Sequence, residues 1–226
     1  MDVSGGPARR AARAFAEATL FERGRMLPPP RRPAPERAVA IACGALAREI
    51  EAVRDAAGWG WLDVEALPAR LHNRPEAIAP AARMRVRAAR ARGYGRIVLG
   101  YAECGAGDAL RALCAEEGAA PLAGAHCFHV FGGGPLDLER TLPLTDFMAR
   151  NFDALIWRGL GLNRHPDLRD VLFAQVERVL HLAQEDDAAT ETAARDAAAR
   201  LALPYERRRV GRAGLAARLA EALDRA

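Results

Sequence analysis

The sequence contains no lysine: all 33 of its basic residues are arginines. That absence excludes chemistry built on a side-chain amine. No Schiff-base lysine is present for a pyridoxal enzyme or an imine-forming aldolase, and no Walker lysine to hold a phosphate. Long apolar runs are missing too. No stretch approaches the roughly 20 residues of a membrane span, and the N-terminus lacks the apolar segment of a secretory signal. Cysteine is scarce, with four in 226 residues. A disulfide framework is therefore not expected, and the thiols are expected to be reduced in a cytoplasmic protein. The net charge is only +4, because 29 acids are interleaved with the arginines. With no aromatic–basic RNA-binding motif, neither nucleic acid nor membrane is expected as a partner.

Half of the residues are hydrophobic, enough to drive folding. Residues 1–37 read as a separate N-terminal arm, a short amphipathic helix followed by the proline-rich linker "LPPPRRPAPER". Such an arm is expected to be dispensable for folding. From Ala38 onward apolar strands alternate with amphipathic helices. Strands are expected at "AVAIAC", "WLDVEAL", "RIVLGYA", weakly at "APLAGA", and at "RVLHLAQ" and "YERRRVG". Helices are expected between them, one with Asp108 as its N-cap, and a long amphipathic pair over "DFMARNFDALIWRGLG" and "DLRDVLFAQVERV". This alternation predicts an α/β fold over residues 38–226 as one domain. Its mostly parallel twisted sheet would carry helices on both faces, in a Rossmann-like arrangement.

Parallel sheets bind ligands beyond the carboxyl ends of their strands. Cys43 follows the first expected strand, His72 the second, Cys104 the third and Cys127 the fourth. Their separations are 29, 32 and 23 residues, by subtraction of position numbers, so no local zinc motif is present. Only the βα topology would bring them together. Three thiolates and an imidazole suit zinc or an iron–sulfur cluster. Helix starts after Cys43 and Cys104 would favour thiolates, and Gly44, Gly105 and Gly107 would allow close approach. Cys114, on the apolar stripe of a helix, reads as inert core filler. An alternative use of Cys104 is as a nucleophile on a strand–turn–helix elbow, with His126 or His129 as base. His181, inside a strand, reads as a satisfied core histidine.

Several stretches together resemble a bacterial and archaeal family of uncharacterised proteins known by a domain-of-unknown-function label. They are "IACGALAREI", "LPARLHNRPE", "VLGYAECGAG", "GAHCFHVFGG", "FDALIWRGLGLNRHPDL" and "VLHLAQEDDA". The resemblance implies an association with corrinoid-dependent methyltransferases, and so with methyl transfer, one-carbon or methylated-amine metabolism. The family's motifs fall on Cys43, His72, Asn73, Cys104, Gly105 and Cys127. They fall later on Phe152, Asp153, Leu160, Gly161, Leu162, Arg164, His165 and Pro166. Asn163 departs from the pattern, standing where an acid is expected.

Three functional readings are consistent with these residues. The first is a zinc- or iron–sulfur-dependent enzyme acting on a small molecule. Cys43, His72, Cys104 and Cys127 would hold the metal. Glu103 and His126 would serve catalysis, and Asn73, Arg74, Arg164 and His165 would bind substrate. The second is a non-catalytic metal or cluster carrier that docks to a corrinoid protein or methyltransferase. The third is a metal-free cysteine enzyme using Cys104.

Overall fold

A computed structural model describes residues 16–27, 36–132, 134 and 136–226. The remainder of the expected arm, residues 1–15 and 28–35, lies outside the described residues. The chain divides into two compact units, one formed up to Val130 together with Gly214–Ala226, the other by Phe131–Ala213. Each contains its own parallel sheet, so the α/β class holds while the sheet expected to be continuous is two. No helix among the described residues is long and apolar enough to cross a membrane.

The first unit begins with helix α1 over residues 16–22. It continues with β1 (Ala38–Cys43), α2 (Gly44–Ala56), β2 (Leu62–Leu67) and two 3₁₀ turns, Ala69–Asn73 and Pro75–Ala77. Then come α3 (Ile78–Ala91), β3 (Arg96–Gly100), α4 (Gly107–Glu117) and the two-residue β4 (Ala120–Pro121). The strand order is β2-β1-β3-β4, all parallel. β1 is buried at all six positions, as a strand covered on both faces must be. The chain leaves β1 for β2 on one side and later returns to β3 on the other. The topological switch point therefore falls between the carboxyl ends of β1 and β3. Asp108 does not cap α4 as expected: Ala106 occupies the N-cap, and Asp108 sits in the first turn paired with Arg111.

The expected arm is not separate where it is described. Leu20 and Phe21 are buried, worth about 2 kcal/mol each as an upper figure. The Arg25 N–H donates to the Ala66 carbonyl (2.6 Å), and the Ala66 N–H donates back to the Arg25 carbonyl (2.8 Å). The segment thus covers the open edge of β2, which would otherwise present unpaired backbone. Gly24 makes this possible. Its φ is +65°, and a Cβ there would collide with the Ala66 carbonyl.

The second unit holds β5 (Thr141–Thr145), α5 (Asp146–Arg150), a π-helical turn at Asp153–Trp157 and α6 (Leu168–Leu172). It continues with β6 (Arg178–Ala183), α7 (Ala188–Arg200) and β7 (Tyr205–Arg209). The order is β5-β6-β7, again parallel. β5 escapes the sequence pattern because Pro143 interrupts it. Proline is tolerated there because β5 lies at the edge of the sheet. The two long helices expected here are shorter, α5 and the π turn in place of one and α6 in place of the other. Helix α8 (Ala213–Arg225) returns almost entirely to the first unit. There the Leu223 carbonyl accepts a bond from the Arg96 guanidinium (2.5 Å).

Candidate functional site

Four loops at the carboxyl edge of the first sheet build the site. Cys43 is the last residue of β1 and the N-cap of α2. His72 lies in the 3₁₀ turn that follows β2. Cys104 sits between β3 and α4, and Cys127 after β4. All three cysteines are buried, each with 8% of its surface exposed. The Glu103 and Cys104 N–H groups donate to the carbonyls of Gly124 (2.9 Å) and Ala125 (3.0 Å). These bonds pin the third loop to the fourth and bring Cys127 against Cys104. Pro75 closes over Gly105, 3.5 Å from where a Cβ would stand, and so holds the His72 loop above the same turn.

Cys104 has φ +42°, one of only two non-glycine residues with positive φ among those described, and Gly105 follows at +79°. A left-handed cysteine is strained, and such strain persists only where the surroundings impose it. The conformation presents the thiol to His72 and Cys127, both within hydrogen-bonding reach. The Cys127 thiol, and the His72 ring after it, stabilise negative charge on Cys104. Together they overcome the opposing effect of burial and bring its pKa down to about 5. The Cys104 thiolate in turn raises the pKa of His72, and burial only partly opposes it. Cys127 is pushed well above the ordinary thiol range, first because it donates to Cys104 and then by burial. Cys43 is pushed up to about 12 by burial, which the Ala45 N–H partly offsets. The result is a thiolate at Cys104 among protonated thiols at Cys43 and Cys127, all three buried, with the more exposed His72 ring stabilising the charge from the solvent side.

Sequence reasoning missed one member, Tyr101. Its apolar neighbours make it read as the end of a strand. Its ring is buried, with 4% exposed, and its hydroxyl lies against the Cys43 thiol and near Cys104. The contact lacks hydrogen-bond geometry, and the buried hydroxyl has no hydrogen-bond partner. A hydroxyl-bearing aromatic at a strand end beside the switch point was the available signal.

The other residues singled out from the sequence lie elsewhere. Glu103 is half exposed and paired with Arg111. Arg74 is exposed and paired with Glu76 (3.2 Å). Asn73 ends the His72 turn on an exposed position. His126 stacks on Phe128, with ring centroids 5.0 Å apart, and tilts against His129 at 5.5 Å. These rings flank Cys127 without entering the thiolate pair. Arg164 and His165 belong to the second unit, on an exposed turn whose N–H groups donate to the Gly161 carbonyl. Cys114 is buried in α4, its pKa raised to about 11 by burial alone.

The donor set has the softness expected for zinc or a cluster. As the side chains stand, however, no three His, Cys, Asp or Glu residues among those described are arranged to hold a metal ion.

The family model described as a protein of unknown function, DUF1638, matches residues 66–219. The chain belongs to this family. The match includes His72, Tyr101, Cys104 and Cys127, and it begins after β1 and Cys43. No curated protein and no solved structure matches the chain.

Proposed function

We propose that this DUF1638 protein is a thiol enzyme that acts on a small molecule through Cys104. The observation that carries the reading is the left-handed Cys104, held between His72 and Cys127 at the switch point of a parallel sheet. In the step proposed, the Cys104 thiolate gives an electron pair to an electrophilic carbon of the substrate. The bond to the leaving group breaks, and the His72 imidazolium supplies its proton. Release of the bound group to water or to a second substrate restores the thiolate. The turn is longer than a nucleophile elbow, since six residues, Tyr101 to Ala106, lie between the end of β3 and the start of α4 in place of a direct junction.

A second reading is kept because of the donor chemistry. Three thiols and an imidazole from four successive loops form a complete soft-metal set for zinc or an iron–sulfur cluster. The side chains would have to rearrange to use it, so no step is routed through a metal. The methyl-transfer and corrinoid association implied by the resemblance makes methylated amines the first substrates to screen, and a corrinoid protein the first partner.

The test is alkylation of anaerobically purified protein with iodoacetamide at pH 6, followed by peptide mapping and metal analysis. Cys104 is expected to be modified first, in protein free of metal. Stoichiometric zinc or iron that protects Cys104 until a chelator removes it would favour the second reading. No selectivity among the four cysteines, with no metal, would overturn both.

A further inference from the structure

We propose that the Tyr101 hydroxyl and the amino end of α2 form an anion site beside Cys104, so that the substrate of the thiolate carries an oxyanion such as a carboxylate. The inference rests on the thiolate reading and names the substrate class for it. Two independent observations point to one place. The Tyr101 hydroxyl is buried, faces Cys43 and Cys104, and has no hydrogen-bond partner. A buried hydroxyl without a partner lowers stability and survives where function uses it. Cys43, which it touches, is the N-cap of α2. That helix is 13 residues long, carries no acid in its first turn and has no side-chain cap. The positive end of its dipole therefore favours an anion, and of its first N–H groups the Ala45 N–H already faces the Cys43 thiol.

The chemistry of the cluster suits such a ligand. Burial, and after it the neighbouring thiols Cys43 and Cys104, hold the tyrosine in its protonated form, well above its ordinary pKa, so that it is a donor. The His72 ring stands within hydrogen-bonding reach of the same sulfur. A second negative charge thus meets a donor hydroxyl and a helix amino end rather than an unpaired thiolate. An oxyanion bound there would sit beside the sulfur that attacks and would orient the neighbouring carbon.

The experiment compares two alkylating probes on the full chain, anionic iodoacetate and neutral iodoacetamide, reading the rate at Cys104 by peptide mapping. The ratio of the two rates corrects for any change in thiolate content. Tyr101→Phe is expected to lower the iodoacetate-to-iodoacetamide ratio by at least about tenfold, the loss of one hydrogen bond to a charged group. Cys114→Ala is expected to keep the wild-type ratio. Inorganic phosphate is expected to slow iodoacetamide at Cys104 in the wild type and to lose that effect in Tyr101→Phe. An unchanged ratio in Tyr101→Phe, with Cys104 still the preferred thiol, overturns the anion site and leaves the thiolate reading standing. A ratio that falls in His72→Gln but not in Tyr101→Phe assigns the anion to the imidazolium and overturns it too. Failure of either probe to select Cys104 overturns the thiolate reading itself, and the anion site with it.

Discussion

The two units use the carboxyl ends of parallel strands in opposite ways. In the second, Asp146 follows β5 and is fully buried. Its carboxylate accepts bonds from the N–H groups of Gln184 (3.1 Å) and Glu185 (2.9 Å) and from His181 Nε2 (2.8 Å). Its own N–H donates to the Gln184 side chain (2.8 Å), and His181 Nδ1 meets the Tyr205 hydroxyl at 3.0 Å. Both imidazole nitrogens and both carboxylate oxygens are therefore partnered, and His181 is the satisfied core histidine that the sequence suggested. In the first unit the corresponding edge holds a strained Cys104, thiols whose pKa values are driven apart, and a hydroxyl with no partner. A satisfied buried network rigidifies its edge, whereas an unsatisfied and strained one is poised for a ligand. The difference shows that topology offers a site at every such edge, and that the state of the polar groups separates a fastener from a reaction centre.

The comparison can be broken most decisively at Asp146. Asp146→Ala leaves two backbone N–H groups and a histidine without their acceptor in a buried place. It is expected to lower stability by about 3 kcal/mol or more in denaturant unfolding. In the protein that remains folded, Cys104 should alkylate as before. A loss below about 1 kcal/mol would show that this edge is not the fastener described.

The next effect concerns the segment that covers β2. Gly24→Ala combines a positive φ with a collision against the Ala66 carbonyl, and it is expected to cost about 2 kcal/mol in the same measurement. A neutral result would return residues 16–27 to the status of a dispensable arm.

A third variant sharpens the reactive edge. With Cys104 at about 5, its iodoacetamide rate is expected to be nearly flat from pH 6 to 8 and to fall as protonation sets in below about pH 5. An ordinary thiol changes its rate by about 100-fold over the same two pH units. The depressed pKa reflects His72 as well as Cys127, so His72→Ala removes a stabilising charge. The inflection should therefore move upward toward the ordinary thiol range, which a pH–rate profile reads directly. A profile that does not move would remove His72 from the pair.

The smallest effect is expected at Cys114→Ala, a packing loss of about 1 kcal/mol with no change at Cys104. Altered reactivity there would erase the division between the inert and the working cysteines.

Much of this arrangement was legible in the residues themselves. Apolar runs alternating with amphipathic segments specify β1, β2, β3, β6 and β7 and most of the helices, because the periodicity of burial is local. Strand-end placement alone also singles out Cys43, His72, Cys104 and Cys127, since parallel βα units put every such turn on one side. Other features depended on distant partners. The strands form two sheets because pairing is a choice among distant segments, which alternation does not encode. β5 escaped notice because Pro143 spoils its pattern, and only an edge position makes it acceptable. Residues 16–27 read as part of an arm because the prolines after them suggested a linker, whereas Leu20 and Phe21 are buried, Leu20 lies against the start of α2 and Gly24 against β2. The orphaned state of the Tyr101 hydroxyl and the left-handed turn at Cys104 depended on the fold for the same reason. A hydroxyl becomes an orphan, and a thiol becomes a thiolate, only when folding removes water and sets specific groups beside them.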